Sequence, residues 1–97
     1  MRPHHKLLYS RAFDDDLDDI PAYDAVIVRS AVALLANQAE TESRHRKRLS
    51  RAVSWCPEAG WELRVRSYRV LYRVDEGTVR VLRLTFEGRM TTEEMGR

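Results

Sequence analysis

Arginine is the residue type that gives this chain its clearest chemical potential. The 97 residues include 17 basic Lys and Arg side chains, and 15 of these are arginine. A guanidinium group is planar and permanently charged, and it holds a phosphate or carboxylate through two parallel hydrogen bonds. Residues 1–43 carry 8 acidic and 4 basic side chains, whereas residues 44–97 carry 13 basic and 7 acidic ones. The second half therefore indicates an anionic partner, either nucleic acid or an acidic protein, or else arginines that decorate a solvated surface.

Other residue types that could do chemistry are sparse. Cys56 is the single cysteine, which excludes an intramolecular disulfide and a cysteine-based zinc site and favours a reducing cytoplasm. Acidic residues at 14–16, 18 and 19 fall early in a predicted helix, where negative charge complements the helix dipole. A divalent-cation site in this acidic run is the alternative. We expect no metal and no cofactor.

Hydrophobic periodicity predicts the elements that position the arginines. From residue 61 to residue 86, apolar and polar residues alternate with the period of two that is typical of strands. Asp75, Glu76 and Gly77 predict a tight turn, so the strands on either side of it are antiparallel. The segment as a whole is predicted to be a meander of three strands.

Two helices are predicted before the meander, after a short first strand at residues 6–10. Phe13, Leu17 and Ile20 recur at helical spacing, and Pro21 restarts a second helix that extends to about residue 39. The predicted fold class is α/β of the α+β type, a small antiparallel sheet of about four strands with an N-terminal helix pair packed on one face. We expect one domain over residues 1–97, with no apolar run long enough to span a membrane.

Alternation along the strands predicts that arginines collect on the sheet face opposite the helices. If Val70 and Tyr72 pack against the helices, the arginines between and beside them point away. The same reasoning applies to the last strand if Leu82 and Leu84 face the helices. The predicted set is Arg64, Arg66, Arg69, Arg73 and Arg83. The mutual repulsion of these guanidinium groups requires water, carboxylates or phosphates nearby. Alternatively, the aliphatic stems of the arginines cover an exposed apolar sheet while their charged heads stay hydrated.

The order of the elements and several short motifs resemble the RelE/ParE superfamily of toxins. The most specific motifs are Trp-Glu-Leu-Arg at residues 61–64 and Tyr-Arg-Val-Leu-Tyr at residues 68–72, supported by the basic segment 41–49 and by residues 84–89. The resemblance extends over nearly the whole chain. It implies the cytoplasmic toxin of a type II toxin–antitoxin pair, which a cognate antitoxin binds and silences.

Toxins of this superfamily act in two ways. RelE-like members cleave mRNA in the ribosomal A site, where a ribose 2′-OH attacks the adjacent phosphate, and ParE-like members poison DNA gyrase. The predicted function is the first, a ribosome-dependent mRNA endoribonuclease that arrests growth, with the ribosome and mRNA as partners. The alternatives are a ParE-like inhibitor of DNA gyrase without nuclease activity, and a catalytically degenerate module that binds only its antitoxin. Whether the chain is an enzyme stays open at this point.

The resemblance also implies roles for individual residues. Arg69 and Arg89 take the places of two phosphate-gripping arginines, and Glu62 is the candidate base. RelE ribonucleases carry lysines before the meander and a tyrosine near the C-terminus, but this chain has Gly60, Glu62 and Met95 at the corresponding positions. These departures favour the ParE-like alternative. The implied RNA-binding residues are Arg64, Arg66, Arg73 and Arg83 on the sheet, with Arg44, His45, Arg46 and Arg48 in the basic segment.

Overall fold

Five strands and three helices make up the part of the chain that the computed structural model describes, residues 5–86. The elements are β1 (Lys6–Tyr9), α1 (Arg11–Asp18), α2 (Ala22–Ala33), α3 (Leu35–Gln38), β2 (Arg46–Arg48), β3 (Trp61–Val65), β4 (Tyr68–Asp75) and β5 (Thr78–Phe86). The strands form one sheet in the order β1-β5-β4-β3-β2. β1 runs parallel to β5, and the other neighbouring strands are antiparallel.

The predicted α+β class is confirmed, with corrections to the sheet. It has five strands rather than about four, and it is mixed because β1 pairs in parallel with β5. The additional strand is β2, which forms within the basic segment 41–49, where the sequence analysis predicted no strand. Pairing with β3 sends its three cationic side chains alternately to opposite faces, which separates their charges.

The helical part begins with a strong cap and contains one break. The Ser10 hydroxyl accepts a hydrogen bond from the Phe13 amide at 3.0 Å, which caps α1. The same hydroxyl donates to the Leu82 carbonyl at 2.6 Å and so ties the start of α1 to β5. The predicted second helix divides at Leu34, whose amide bonds the Ala31 carbonyl at 3.2 Å.

The main core lies between the helices and one face of the sheet. Its fully buried side chains are Phe13, Val28, Val32, Leu35, Val70, Tyr72, Val79 and Val81. The Tyr72 hydroxyl donates to the Ala39 carbonyl at 2.7 Å, which satisfies its polar group inside the core. Burial raises the pKa of this hydroxyl. Tyr72 therefore fixes the end of the helical layer to the middle of the sheet.

A smaller apolar cluster covers part of the opposite sheet face, which we call the open face. It is formed by the covering segment, residues 49–60, from which Val53, Cys56 and Ala59 pack against Leu71 of β4. Hydrophobic periodicity predicted no helix or strand for this segment. Because the segment covers the middle of β4, the arginines of the open face lie around an apolar patch.

A β-bulge in β5 decides which of its side chains reach the open face. Leu71 pairs with Arg83, whereas the next residue of β4 pairs with Val81, so Leu82 is an extra residue. Leu82 therefore packs on the open face with Leu71, and the expectation that it faces the helices is wrong. The bulge also places Arg80 and Arg83 on the same face although they are three residues apart.

The turn between β4 and β5 yields a first testable prediction. Glu76 and Gly77 have φ angles of 36° and 82°, the pattern of a type I′ turn. Gly77→Ala should lower the free energy of unfolding by about 1 kcal/mol, because a Cβ is strained at this φ. An added Cβ would meet nothing within 4 Å, so a steric clash does not contribute.

Gly60 provides the matched control for this substitution. An added Cβ at Gly60 also meets nothing within 4 Å, and its φ lies outside the left-handed region. Gly60→Ala should therefore leave stability unchanged or raise it slightly. Urea unfolding of both variants measures the difference, and equal effects would contradict the strain argument.

Cys56 should react slowly with alkylating reagents at pH 8 in the folded protein. Burial raises the pKa of its thiol above the ordinary value of 9.0, and the thiolate is the reactive form. Labelling should accelerate when urea unfolds the chain. Since the folded pKa is the higher one, the contribution of this thiol to stability is complete below about pH 9 and is lost as the pH rises through the folded pKa. Labelling of the native protein at the rate of a free thiol would contradict this prediction.

Candidate functional site

Strand register brings the predicted sheet arginines together on the open face. Arg64 of β3 pairs with Arg69 of β4. Arg83 of β5 pairs with Leu71 of β4, and Arg80 of β5 pairs with Arg73 of β4. Directly paired residues share a sheet face, so four of the predicted arginines share this surface. Arg80 is an additional member that the sequence analysis missed.

Glu62 and Arg69 lie at the centre of this surface. Their side chains are only 6% and 22% exposed, and Glu62 Oε1 lies 3.4 Å from Arg69 Nη1. Glu62 pairs with Lys47 on one side and with Leu71 on the other. A buried carboxylate is costly unless cations compensate it, and the Arg69 guanidinium lies within ion-pair distance of Glu62. The negative charge of Glu62 thus lies next to Arg69, the arginine that was predicted to bind phosphate.

Two further ion-pair clusters flank this centre. Asp75 Oδ2 lies 2.8 Å from Arg73 Nε and 3.7 Å from Arg80 Nε. Asp16 of α1 accepts hydrogen bonds from Arg83 Nε at 2.9 Å and Nη2 at 3.1 Å. The hydrogen bonds to Asp16 raise the pKa of the Arg83 guanidinium. Carboxylates of the protein therefore offset the guanidinium repulsion that the sequence predicts.

A cationic pocket of about 230 Å³ adjoins Glu62. Its other lining residues are Arg44, His45, Lys47 and Arg64. The Arg64 amide donates to the His45 carbonyl at 2.7 Å, which holds the basic segment beside β3. The structure thus brings three of the predicted RNA contacts together. Lys47 joins them because the middle residue of β2 faces the open side.

Arg46 and Arg48 do not join this surface, because they flank Lys47 in β2 and so point toward the helices. Arg46 donates to the Thr41 carbonyl at 2.6 Å. The Arg48 guanidinium lies 4.9 Å from the ring centre of Trp61, a core residue. In these positions both residues support the edge of the sheet, and their predicted contact with RNA stays a prediction.

Of the remaining predicted residues, Arg66 lies apart from the site. Arg66 occupies the turn between β3 and β4 with a φ of 56° and is exposed. Arg89 falls outside the described residues, as do Glu87 and Met95. Sequence spacing suggested a place for Arg66 on the sheet, but the turn directs it to the end of the hairpin.

The acidic run serves α1 and its contacts. Asp14 lies in the first turn of α1, 3.9 Å from Arg29, and Asp16 binds Arg83. Within residues 5–86, no three His, Cys, Asp or Glu side chains converge in a way that could hold a metal. No helix in this same range is long and apolar enough to cross a membrane.

Solved structures show the class of fold. The archaeal RelE–RelB complex from Pyrococcus horikoshii OT3 matches with a TM-score of 0.69 and 16% identity, covering 89% of this chain and 98% of that one. The RelBE2 toxin–antitoxin complex from Mycobacterium tuberculosis gives 0.59 and 24%, covering 86% and 98%. A copper-bound mutant toxin from Helicobacter pylori gives 0.64 and 18%, covering 90% and 99%. The fold is therefore that of the RelE-like toxins.

The sequence itself shows the family. Residues 7–89 match the model of the ParE toxin of type II toxin–antitoxin system, parDE. The chain belongs to this family of toxins and hence to the RelE/ParE superfamily that the motifs suggested. No curated protein matches the sequence.

Proposed function

We propose that a cognate antitoxin protein silences this toxin and that the toxin acts by inhibiting DNA gyrase without cleaving RNA. The observation that carries the second part is the contact between the buried Glu62 carboxylate and Arg69. The match to the ParE family model agrees with it. Gyrase inhibition is therefore preferred to the mRNA endoribonuclease activity that was predicted first from the sequence.

The negative charge that develops on the phosphate during RNA cleavage speaks against a ribonuclease. Attack of a 2′-OH on a phosphate adds negative charge to the phosphate oxygens, which preorganised cations must stabilise. Arg69 is already engaged by a carboxylate, and that carboxylate repels an incoming phosphate. The lysines of RelE ribonucleases are also absent, because the chain has Gly60 and Glu62 at those positions.

RNA cleavage is the second candidate because of the cationic pocket beside Glu62. Arg44, Lys47 and Arg64 offer positive charge there, and Glu62 is a carboxylate within the same pocket. Cations and a carboxylate base are the groups that 2′-OH attack requires. A phosphate entering this pocket would have to reach the cations in spite of Glu62.

Two reactions with purified toxin separate the candidates. We expect inhibition of gyrase supercoiling in the absence of ribosomes, and intact mRNA when the toxin is added to a translating extract. Ribosome-dependent cleavage with normal supercoiling would overturn the gyrase proposal in favour of the second candidate. Inactivity in both reactions, together with normal growth on overexpression, would identify a degenerate binding module.

The antitoxin part of the proposal has its own test. The toxin should co-purify with the product of an adjacent small gene, and co-expression of that product should restore growth. A free, monodisperse and non-toxic monomer, unaffected by the neighbouring product, would contradict this part whatever the target is.

A further inference from the structure

A groove of about 560 Å³ lies beside the end of β5, next to the connection between α1 and α2. β1 accompanies β5 only up to Val81, so no strand in the described range flanks the edge from Leu84 to Phe86. Asp16 caps this edge at one point by accepting a hydrogen bond from the Leu84 amide at 2.9 Å. Thr85 and Phe86, which follow Leu84 in β5, also line the groove.

Apolar and aromatic side chains form one wall of the groove. Phe86 is 39% exposed and its ring centre lies 5.4 Å from that of Tyr68. Ile20 and Leu84 line the groove beside them. Such a wall provides a surface for the aliphatic stem of a long side chain and aromatic faces for a cationic head.

Two carboxylates on the other wall have acceptor capacity left. Asp24 Oδ2 accepts from the Tyr68 hydroxyl at 2.6 Å. Asp19 is exposed and is the C-cap of α1, where the helix dipole disfavours a negative charge, and the last turn of α1 has no basic residue. Asp16, by contrast, already neutralises Arg83. Within residues 5–86 no basic side chain forms an ion pair with Asp19, and its negative charge at the end of α1 does not favour folding of the free toxin.

We propose that this groove receives an extended segment of the cognate antitoxin through one lysine or arginine side chain. The stem of that side chain lies along Phe86 and Ile20, and its head donates to Asp19 and Asp24. This inference rests on the proposed antitoxin partner and adds the chemistry of one contact.

The test removes the two charges without changing shape. Asp19→Asn with Asp24→Asn keeps an oxygen acceptor for the Tyr68 hydroxyl and should weaken antitoxin binding roughly tenfold or more. The matched control is Asp15→Asn with Asp18→Asn, which changes the net charge equally at exposed positions of α1 outside the groove. The control should stay within about twofold of the parent. Thermal unfolding of both full-length variants checks that they fold.

A double-mutant cycle identifies the partner side chain. Alanine substitution of one antitoxin lysine or arginine should weaken binding to the parent toxin but not to the Asn variant. Equal affinities of the Asn variant and its control would overturn the inference while leaving antitoxin binding intact. A rise in affinity of the Asn variant would also overturn it, because the groove would then hold a basic segment of the toxin itself. If the antitoxin did not bind even the parent toxin, the proposed partner itself would be wrong.

Discussion

Glu62→Ala should lower the free energy of unfolding by about 3 kcal/mol, because it removes a buried carboxylate that lies beside the largely buried Arg69 guanidinium. Glu62 is 5% exposed, and its Oε1 lies 3.4 Å from Arg69 Nη1. The substitution also removes a carboxylate from the residue that pairs with Lys47 in the neighbouring strand. In a chain of this size the melting temperature should fall by roughly 10–20 °C. Thermal and urea unfolding monitored by circular dichroism measure the change.

An exposed glutamate and a double variant show whether charge is the cause. Glu58→Ala removes an exposed carboxylate from the covering segment and should cost less than about 0.5 kcal/mol. Adding Arg69→Met to Glu62→Ala should recover part of the lost stability, because an apolar side chain requires no counter-charge. If Glu62→Ala costs no more than Glu58→Ala, Glu62 does not compensate Arg69, and the electrostatic argument against RNA cleavage fails.

The meander could be predicted because its signals are local. Alternation with a period of two and the turn at Gly77 define β3 to β5, and the arginines of β3 and β4 then follow by geometry. The bulge could not be predicted in this way. Val81 and Leu82 are adjacent and both apolar, so either can face the core. The contact of Leu82 with the covering segment decides the outcome, and that contact is a tertiary one.

The strand β2 illustrates a second limit. Arg46, Lys47 and Arg48 have the composition of a solvated segment, and local repulsion argues against regular structure. Pairing with β3 supplies the missing stabilisation, since backbone hydrogen bonds form irrespective of side-chain charge. Residues that seemed equivalent in the sequence therefore divide between the two sheet faces, and only Lys47 reaches the open face.

The basic residues of the candidate site could be predicted from the sequence, but its acidic residues and their partners could be predicted only in part. Sequence reasoning identified Glu62, as the candidate base. It could not assign partners to Asp16, which is separated from Arg83 by 67 positions and is one of several similar acids in α1. The cap at Ser10 orients α1 against β5 and selects which aspartate reaches the sheet.

Asp16→Ala should lower the free energy of unfolding by about 2–3 kcal/mol, although it removes only one surface-proximal side chain. The Asp16 side chain is 17% exposed and accepts three hydrogen bonds, two from Arg83 and one from the Leu84 amide. Alanine leaves all three donors without this acceptor. Hydrogen exchange should show the local effect, because the Leu84 amide should lose most of its protection while amides in the middle of β4 change only with global stability.

Asp15→Ala and Asp16→Asn complete this test. Asp15 is an exposed neighbour in the same helix, so its removal should change stability by less than about 0.5 kcal/mol. Asn at position 16 still accepts from the Leu84 amide but turns an NH₂ group toward Arg83, so it should protect that amide yet recover less than half of the lost stability. Protection of the Leu84 amide in the alanine variant would mean that another group satisfies it. The edge of β5 would then be held by packing against α1, and Asp16 would serve only to neutralise Arg83.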